Sequence, residues 1–253
     1  MKLLCFGANG QVGAALRALA GPGLEIDALD RAGADLQDPE SCARAVERTD
    51  ADIDAVVNAA AYTAVDKAET EEALAATVNA AAPGAMARAA AARGLPFLHI
   101  STDYVFDGAP GRPWREDDPT GPLGAYGRTK LAGEAAVLKA GGPAVVLRTA
   151  WVFSATGANF VKTMLRVGAT RPALSVVDDQ RGGPTAAADI AAALVAIARA
   201  FAEGRGRPGV YHYAGAPTAS WREFAEAIFA RADWIAAPDV TPIATADWPT
   251  PAR

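Results

Sequence analysis

Only two cysteines, Cys5 and Cys42, and two histidines, His99 and His212, occur among the 253 residues. Two thiols provide no disulfide framework for a loop-rich fold. With Cys5 on an expected buried strand and Cys42 on an expected helix, both read as free thiols, in keeping with a reducing compartment and a cytoplasmic protein. Neither histidine stands at a metal-like spacing from Cys, Asp or Glu, so no metal site is expected. No apolar run approaches the roughly 20 residues that span a bilayer, and the opening Met1–Gly7 is too brief for a signal-peptide core. No membrane partner is expected. Basic blocks are also missing. Lys and Arg total 24 against 29 Asp and Glu, a net charge of −5, so the concentrated positive surface that a nucleic-acid backbone needs is absent.

What is present is small and apolar. The hydrophobic share is 51%, much of it alanine, which favours closely packed helices. Short apolar runs at Lys2–Phe6, Leu24–Leu29, Ala55–Asn58, Phe97–Ser101 and Ala144–Arg148 alternate with helical stretches at Gln11–Ala20, Pro39–Thr49, Thr70–Arg93 and Tyr126–Ala140. That alternation predicts βαβ units. After Arg148 the rhythm loosens, with helices expected near Asn159–Val167, Ala186–Ala202 and Ser220–Arg231 and a last strand at Gly209–Tyr213. The expected class is α/β: a doubly wound parallel, Rossmann-like sheet with a smaller C-terminal substrate lobe. Residues 1–148, completed by about 186–213, form the dinucleotide-binding domain in this reading, and 149–185 with 214–253 form the lobe.

Directly after the first strand comes Gly7-Ala8-Asn9-Gly10-Gln11-Val12-Gly13. This GxxGxxG turn lets the backbone approach a pyrophosphate at the start of a helix, where the dipole favours negative charge. Gly7, Asn9, Gly10, Gln11, Val12 and Gly13 are therefore candidate dinucleotide contacts. Asp30, at the end of the second strand, suits adenosine ribose hydroxyls, and Arg31 beside it suits a 2′-phosphate. The choice of NADPH or NADH stays open. Asp35 and Leu36 are candidates for the adenine side, and Ala59, Ala60 and Ala61 after the third strand let a dinucleotide lie close to the sheet.

Tyr126 and Lys130 form YxxxK at a helix start, one turn apart on one face. A nearby ammonium is expected to bring the phenol, ordinarily near pKa 10, toward working pH as a general acid. At the end of the fourth strand, Thr102 offers a hydroxyl for a substrate carbonyl, with Ser101 as its competitor. The paired Asp117-Asp118 sits in a Pro-rich loop and reads as a solvated turn.

These residues resemble the extended short-chain dehydrogenases. The resemblance spans the Gly7–Gly13 turn, Asn58–Thr63 (NAAAYT), Ser101–Gly108 (STDYVFDG), Pro122–Glu134 (PLGAYGRTKLAGE), Arg148–Phe153 (RTAWVF), Asn159–Leu165 (NFVKTML), Asp179–Thr185 (DQRGGPT) and Gly209–Ala214 (GVYHYA). The combination of RTAWVF, NFVKTML and DQRGGPT is narrowest, and it matches members acting on dTDP-linked deoxysugars. The resemblance implies NADPH- or NADH-dependent reduction of the C4 ketone of dTDP-4-dehydro-L-rhamnose, with Thr102, Tyr126 and Lys130 catalytic and with Tyr126 and Lys130 also against the cofactor, Lys130 at its nicotinamide ribose. It implies a dTDP-deoxysugar substrate held by Thr102, Asp103, Tyr104, Trp151, Asn159, Gln180 and Thr185, with Lys162 a weaker candidate. Some members carry metal-bridging glutamates where this chain has Ala15 and Ala188, so a monomer or weak homodimer is expected. Family members usually continue beyond Pro249–Arg253, so further lobe sequence is expected there. The alternatives are a sugar-nucleotide epimerase or dehydratase that holds NAD tightly, and a non-catalytic regulatory subunit with this fold.

Overall fold

The computed structural model describes residues 1–109, 111–233 and 236–252. Strand β1 (Lys2–Phe6) is apolar on both faces, with Leu3, Leu4, Cys5 and Phe6 all buried, as a parallel strand with helices over both faces requires. Next come α1 (Gln11–Ala18), β2 (Glu25–Leu29), α2 (Pro39–Arg48) and β3 (Ala55–Asn58). Pro39 occupies the first turn of α2, where its missing N–H costs nothing, and the Asp38 carboxylate caps that turn by accepting from Ser41 N at 3.0 Å. Then follow α3 (Val65–Ala68), α4 (Glu72–Ala76), a π-helical segment at Thr77–Ala81, α5 (Ala82–Ala92), β4 (Phe97–Thr102), α6 (Ala125–Lys139) and β5 (Ala144–Thr149).

Where the sequence predicts one helix over Thr70–Arg93, the structure has a helix interrupted by the π segment, in which Ala82 N donates to Thr77 O. The reason lies in Pro83, which has no N–H for the carbonyl four residues back, that of Asn79, so the ladder widens by one residue ahead of it.

Beyond Ala150 the chain forms β6 (Val152–Phe153), α7 (Phe160–Gly168), β7 (Ala173–Val177), β8 (Arg181–Gly182) and β9 (Thr185–Ala186). It continues as α8 (Ala187–Ala202), β10 (Gly209–His212), β11 (Ala219–Ser220), α9 (Trp221–Phe229) and β12 (Asp239–Ile243). Contacts divide it into two units: Met1–Thr149 with Ala188–Tyr213 and the residues from Pro251, and Ala150–Ala187 with Ala214–Thr250.

The first unit holds a six-stranded sheet in the order β2-β1-β3-β4-β5-β10, with every pair parallel. Leu4, Phe6, Val56, Phe97 and Val146 pack with Cys42 and Val46 of α2, Met86 of α5 and Val137 of α6. Both cysteines are free and buried. The second unit is built on Leu174, Val176, Ala225 and Phe229, with Phe160, Met164 and Trp221 against them. Its strands β7 and β12, unforeseen in the sequence, pair in parallel. Its helix α9 opens with a capping box between Ser220 and Glu223. No described helix is long and apolar enough to cross a membrane.

Candidate active site

Strand order reverses between β1 and β3, and in an open parallel sheet such a reversal leaves a crevice at the carboxyl ends of the strands. There the two loops meet. Gly7 has φ +93°, and a Cβ on it would lie 2.8 Å from Ala60 N and 2.9 Å from Ala59 C. A Cβ on Gly13 would overlap the Gly7 carbonyl oxygen. Any side chain at either place would fill the cradle or lift α1 off the turn. Helix α1 starts after Gly10 with no side-chain cap and no acidic residue in its first turn, so its positive end meets no local carboxylate. A dinucleotide fits these residues: small groups where backbone must come close, and a helix N-terminus left to an outside anion.

Asp30 accepts from Ala32 N at 2.9 Å and Gly33 N at 3.2 Å, and its second oxygen faces the Asn9 amide at 3.4 Å. The Gly33 and Ala32 N–H groups hold its carboxyl below the usual range, with Asn9 adding to the effect. Arg31 reaches outward, its nearest ion pair being with Asp35 at 3.8 Å. Asp35 also accepts from Gln37 N at 3.0 Å, while Leu36 belongs to the sheet core. Ala59, Ala60 and Ala61 are half-buried beside the cradle.

The end of β4 resolves the two hydroxyls. Successive strand residues face opposite ways, and Ser101 turns inward to donate to Glu134 Oε1 at 2.5 Å. Thr102 instead lies beside the Tyr126 phenol, donates to Asp103 Oδ1 at 3.2 Å and accepts from Tyr104 N at 3.3 Å. Tyr126 is the second residue of α6, and it reaches this place because Gly127 follows: a Cβ there would overlap the Tyr104 carbonyl oxygen. The Tyr104 ring packs edge-on against Tyr126, with centroids 5.4 Å apart.

Burial pushes the Tyr126 phenol up from its ordinary value, and the Asp103 and Tyr104 charges push the same way, with only the neighbouring Thr102 hydroxyl opposing. This differs from the effect that the YxxxK spacing predicts for Lys130. The reason is where the amine goes: Lys130 is 2% exposed, donates to Ile100 O at 2.7 Å and lies 3.3 Å from His99 Nε2. Burial lowers Lys130 to about 8, opposed by the Glu134 charge. Burial likewise pushes the Asp103 carboxyl up to about 6, against the Thr102 hydrogen bond.

Three residues escaped the sequence reading. Asn79, fully buried in the π segment, accepts from Tyr62 N at 2.8 Å and donates to Tyr62 O at 3.1 Å and Thr129 Oγ1 at 3.2 Å, tying the loop after β3 to α6. Its only sequence signal is an amide inside an alanine-rich run ahead of Pro83. Arg148 and Glu134 form a buried fork at 2.7 and 2.9 Å, with Arg148 lying over the Phe106 ring.

The remaining candidates lie in the second unit. Trp151 has φ +49°, strained for a bulky residue, and stacks on Trp221 at 3.4 Å. Asn159 caps α7 through Lys162 N at 3.1 Å and donates to Ser154 O at 2.8 Å, while the Lys162 side chain is exposed. Gln180 accepts from Trp221 Nε1 and donates to Thr245 Oγ1, both at 3.1 Å. Thr185 donates to Gly183 O at 2.7 Å and accepts from Gly215 N at 3.0 Å. Among the described residues, no three His, Cys, Asp or Glu side chains gather as a metal site would need.

The family model described as RmlD substrate binding domain matches residues 1–253. Across its full length the chain is 48% identical to a dTDP-4-dehydrorhamnose reductase of Burkholderia thailandensis, covering 88% of that protein. A crystal structure of a dTDP-4-dehydrorhamnose reductase from Clostridium acetobutylicum superimposes with a TM-score of 0.90 at 39% identity, over 100% of this chain and 87% of that one. The enzyme of that name from Bacillus anthracis, solved in complex with NADP, gives a TM-score of 0.90 at 33% identity, again over 100% and 87%.

Proposed function

The chain belongs to the family described as RmlD substrate binding domain, and from that premise we infer that it reduces the C4 ketone of dTDP-4-dehydro-L-rhamnose to dTDP-L-rhamnose with NADPH or NADH. The observation that carries this reading is the placement of the Thr102 hydroxyl and the Tyr126 phenol together at the carboxyl end of β4, beside the glycine cradle of β1 and with Lys130 a turn further along α6. The bound nicotinamide supplies the hydride, and the protein supplies the proton and the position. Gly7, Gly10 and Gly13 hold the pyrophosphate at the start of α1, and Asp30 with Asn9 takes the adenosine ribose.

Because burial keeps the phenol protonated at neutral pH, Tyr126 is set as an acid: it gives its proton to the oxygen that becomes the C4 hydroxyl. Thr102 donates to that same oxygen while it is still a carbonyl, fixing the ketone beside the phenol. Lys130, secured to the Ile100 carbonyl, offsets the phenolate left behind while it holds its proton, below about pH 8.

The test follows cofactor absorbance with enzymatically generated dTDP-4-dehydrorhamnose, comparing the native chain with Tyr126→Phe. The expected result is turnover that falls by about 10²–10⁴ in the variant while NADPH binding persists. A native chain that binds NADPH and the sugar nucleotide without oxidising the cofactor overturns the reading. The better of NADPH and NADH decides between Asp30 and Arg31 as the determinant.

A further inference from the structure

The surroundings of Lys130 contain a histidine that the reaction as described does not use. His99 lies on β4 with no exposed surface. Its Nδ1 is 3.1 Å from Asn58 Nδ2 and its Nε2 is 3.3 Å from Lys130 Nζ. The orientation of the Asn58 amide is settled by chemistry, because Asn58 Oδ1 accepts from the Ala60 backbone N–H at 3.1 Å, which leaves the NH2 group toward the imidazole. Asn58 therefore donates to Nδ1, and a neutral imidazole must carry its own proton on Nε2. That proton points at Lys130. An ammonium there would set two donors against each other, whereas a neutral amine matches every partner: it donates to Ile100 O and accepts from Nε2–H.

We propose that His99 is a positioning residue for the reduction, held by Asn58 in the tautomer protonated on Nε2, so that it donates to Lys130 and favours its neutral amine. The proposal rests on the reading that Lys130 serves the reduction. For Lys130 to become charged, the His99 proton must move to Nδ1 and the Asn58 hydrogen bond must break. The charge of Lys130 is thereby coupled to the backbone that follows β3, since Ala60 N is what orients Asn58.

The other groups around the pair do not reverse this. On α6, Glu134 favours the ammonium of Lys130, but its carboxylate is already shared by Arg148 of β5 and Ser101 of β4. Also on α6, Tyr126 keeps its proton. At the end of β4 stands Asp103, which acts on Tyr126 and Tyr104. From β3 His99 meets Asn58, and its register partner on β5 is Val146. Burial and then the Lys130 charge lower His99 well below its ordinary value, so it stays neutral.

The experiment is NMR of the full chain without ligands, with 15N-labelled histidine and 13Cε-labelled lysine. Two histidines make assignment simple, since the His212 signals vanish in His212→Gln. The expected result is the Nε2–H tautomer of His99 above the Lys130 midpoint, near pH 8, giving way to Nδ1–H below it as the amine becomes charged. The Lys130 midpoint, recognised by its loss in Lys130→Met, is expected to rise by about one unit in His99→Leu, a tenfold change in the ammonium-to-amine ratio. His99→Gln, whose amide can still donate, is expected to restore part of that shift. An Nδ1–H tautomer above the Lys130 midpoint, a tautomer that does not change across it, or a midpoint that is unmoved or lower in His99→Leu, overturns the proposal. The tautomer is read on the native chain and decides the matter even where the leucine variant fails to fold. In turnover, the alkaline limb of kcat is expected to move with the Lys130 midpoint, and a loss of rate with an unmoved limb makes His99 structural only. If the native chain does not reduce dTDP-4-dehydrorhamnose, the functional reading fails while the NMR result still judges His99.

Discussion

Two residues at the site exchange their protons away from their ordinary pH, and the pH at which each affects stability follows from the sign of its shift. Lys130 is lowered from 10.5 to about 8 by burial. Between those values the unfolded chain holds more protons than the folded one, so folding stability rises with pH there; below about 8 the folded state carries the full cost of a buried cation. Lys130→Met is therefore expected to lose its stability advantage over the native chain as pH climbs from about 8 to 10.5, by about 1.4 kcal/mol per unit at most. Urea melts across that range measure it, and a pH-independent difference refutes the burial argument. Asp103 is raised from 3.8 to about 6, so its window lies elsewhere and its sign is opposite: the folded chain binds more protons there, and stability falls as pH rises from about 4 to 6. Asp103→Asn is expected to flatten that slope and to remove a titration near pH 6 from kcat/KM. The YxxxK and Ser-Thr-Asp patterns revealed these groups without their energetics. The sequence shows Tyr126 and Lys130 one turn apart, but not that the Ile100 carbonyl draws the amine to the strand, nor which of Ser101 and Thr102 the pleat turns outward.

At the scale of elements, repeating patterns were legible and their interruptions were not. Most strands of the sheet have near-continuous apolar runs, Pro39 opens α2, and Gly94 and Gly141 stop α5 and α6, so the parallel sheet follows from the alternation of elements. The break at Thr77–Ala81 is hidden because alanine suits either helical ladder, and β12 is hidden because Pro242 argues against a strand. Yet the π segment is what turns Asn79 between Tyr62 and Thr129. Helix α6 comes against it at Gly133, where a Cβ would overlap the Asn79 carbonyl oxygen. Gly133→Ala is expected to cost about 1–3 kcal/mol by overpacking. It is also expected to raise KM for NADPH several-fold, because the Asn79–Tyr62 hydrogen bonds hold the loop after β3. Thermal melts and cofactor titration separate the two effects. A variant that is destabilised but binds NADPH normally would confine Asn79 to a packing role.

For the molecule as a whole, the first unit is discontinuous in sequence, and this limits where the chain can be cut. β10 supplies the outer neighbour of β5 over Gly209–His212, paired with Val145–Arg148, and Tyr213 N donates to Arg148 O at 2.9 Å. The preceding α8 buries Ile190, Ala191, Leu194 and Ala198 completely. The His212 backbone N–H also holds Glu116, which lies in the loop ahead of α6, at 3.0 Å. A chain ending after Thr149 would keep every residue of the glycine turn and of the Thr102–Tyr126–Lys130 set. It would lose the strand that satisfies β5 and the apolar helix that packs in the same unit, leaving an unpaired, fully buried-type strand at the edge. Such a fragment is expected to lack a cooperative urea transition and to aggregate, and joining residues 188–213 to it through a flexible linker is expected to restore both cooperativity and NADPH binding. A cooperative transition in residues 1–149 alone, at the midpoint of the full chain, would mean that the returning helix and strand decorate a sheet already complete without them.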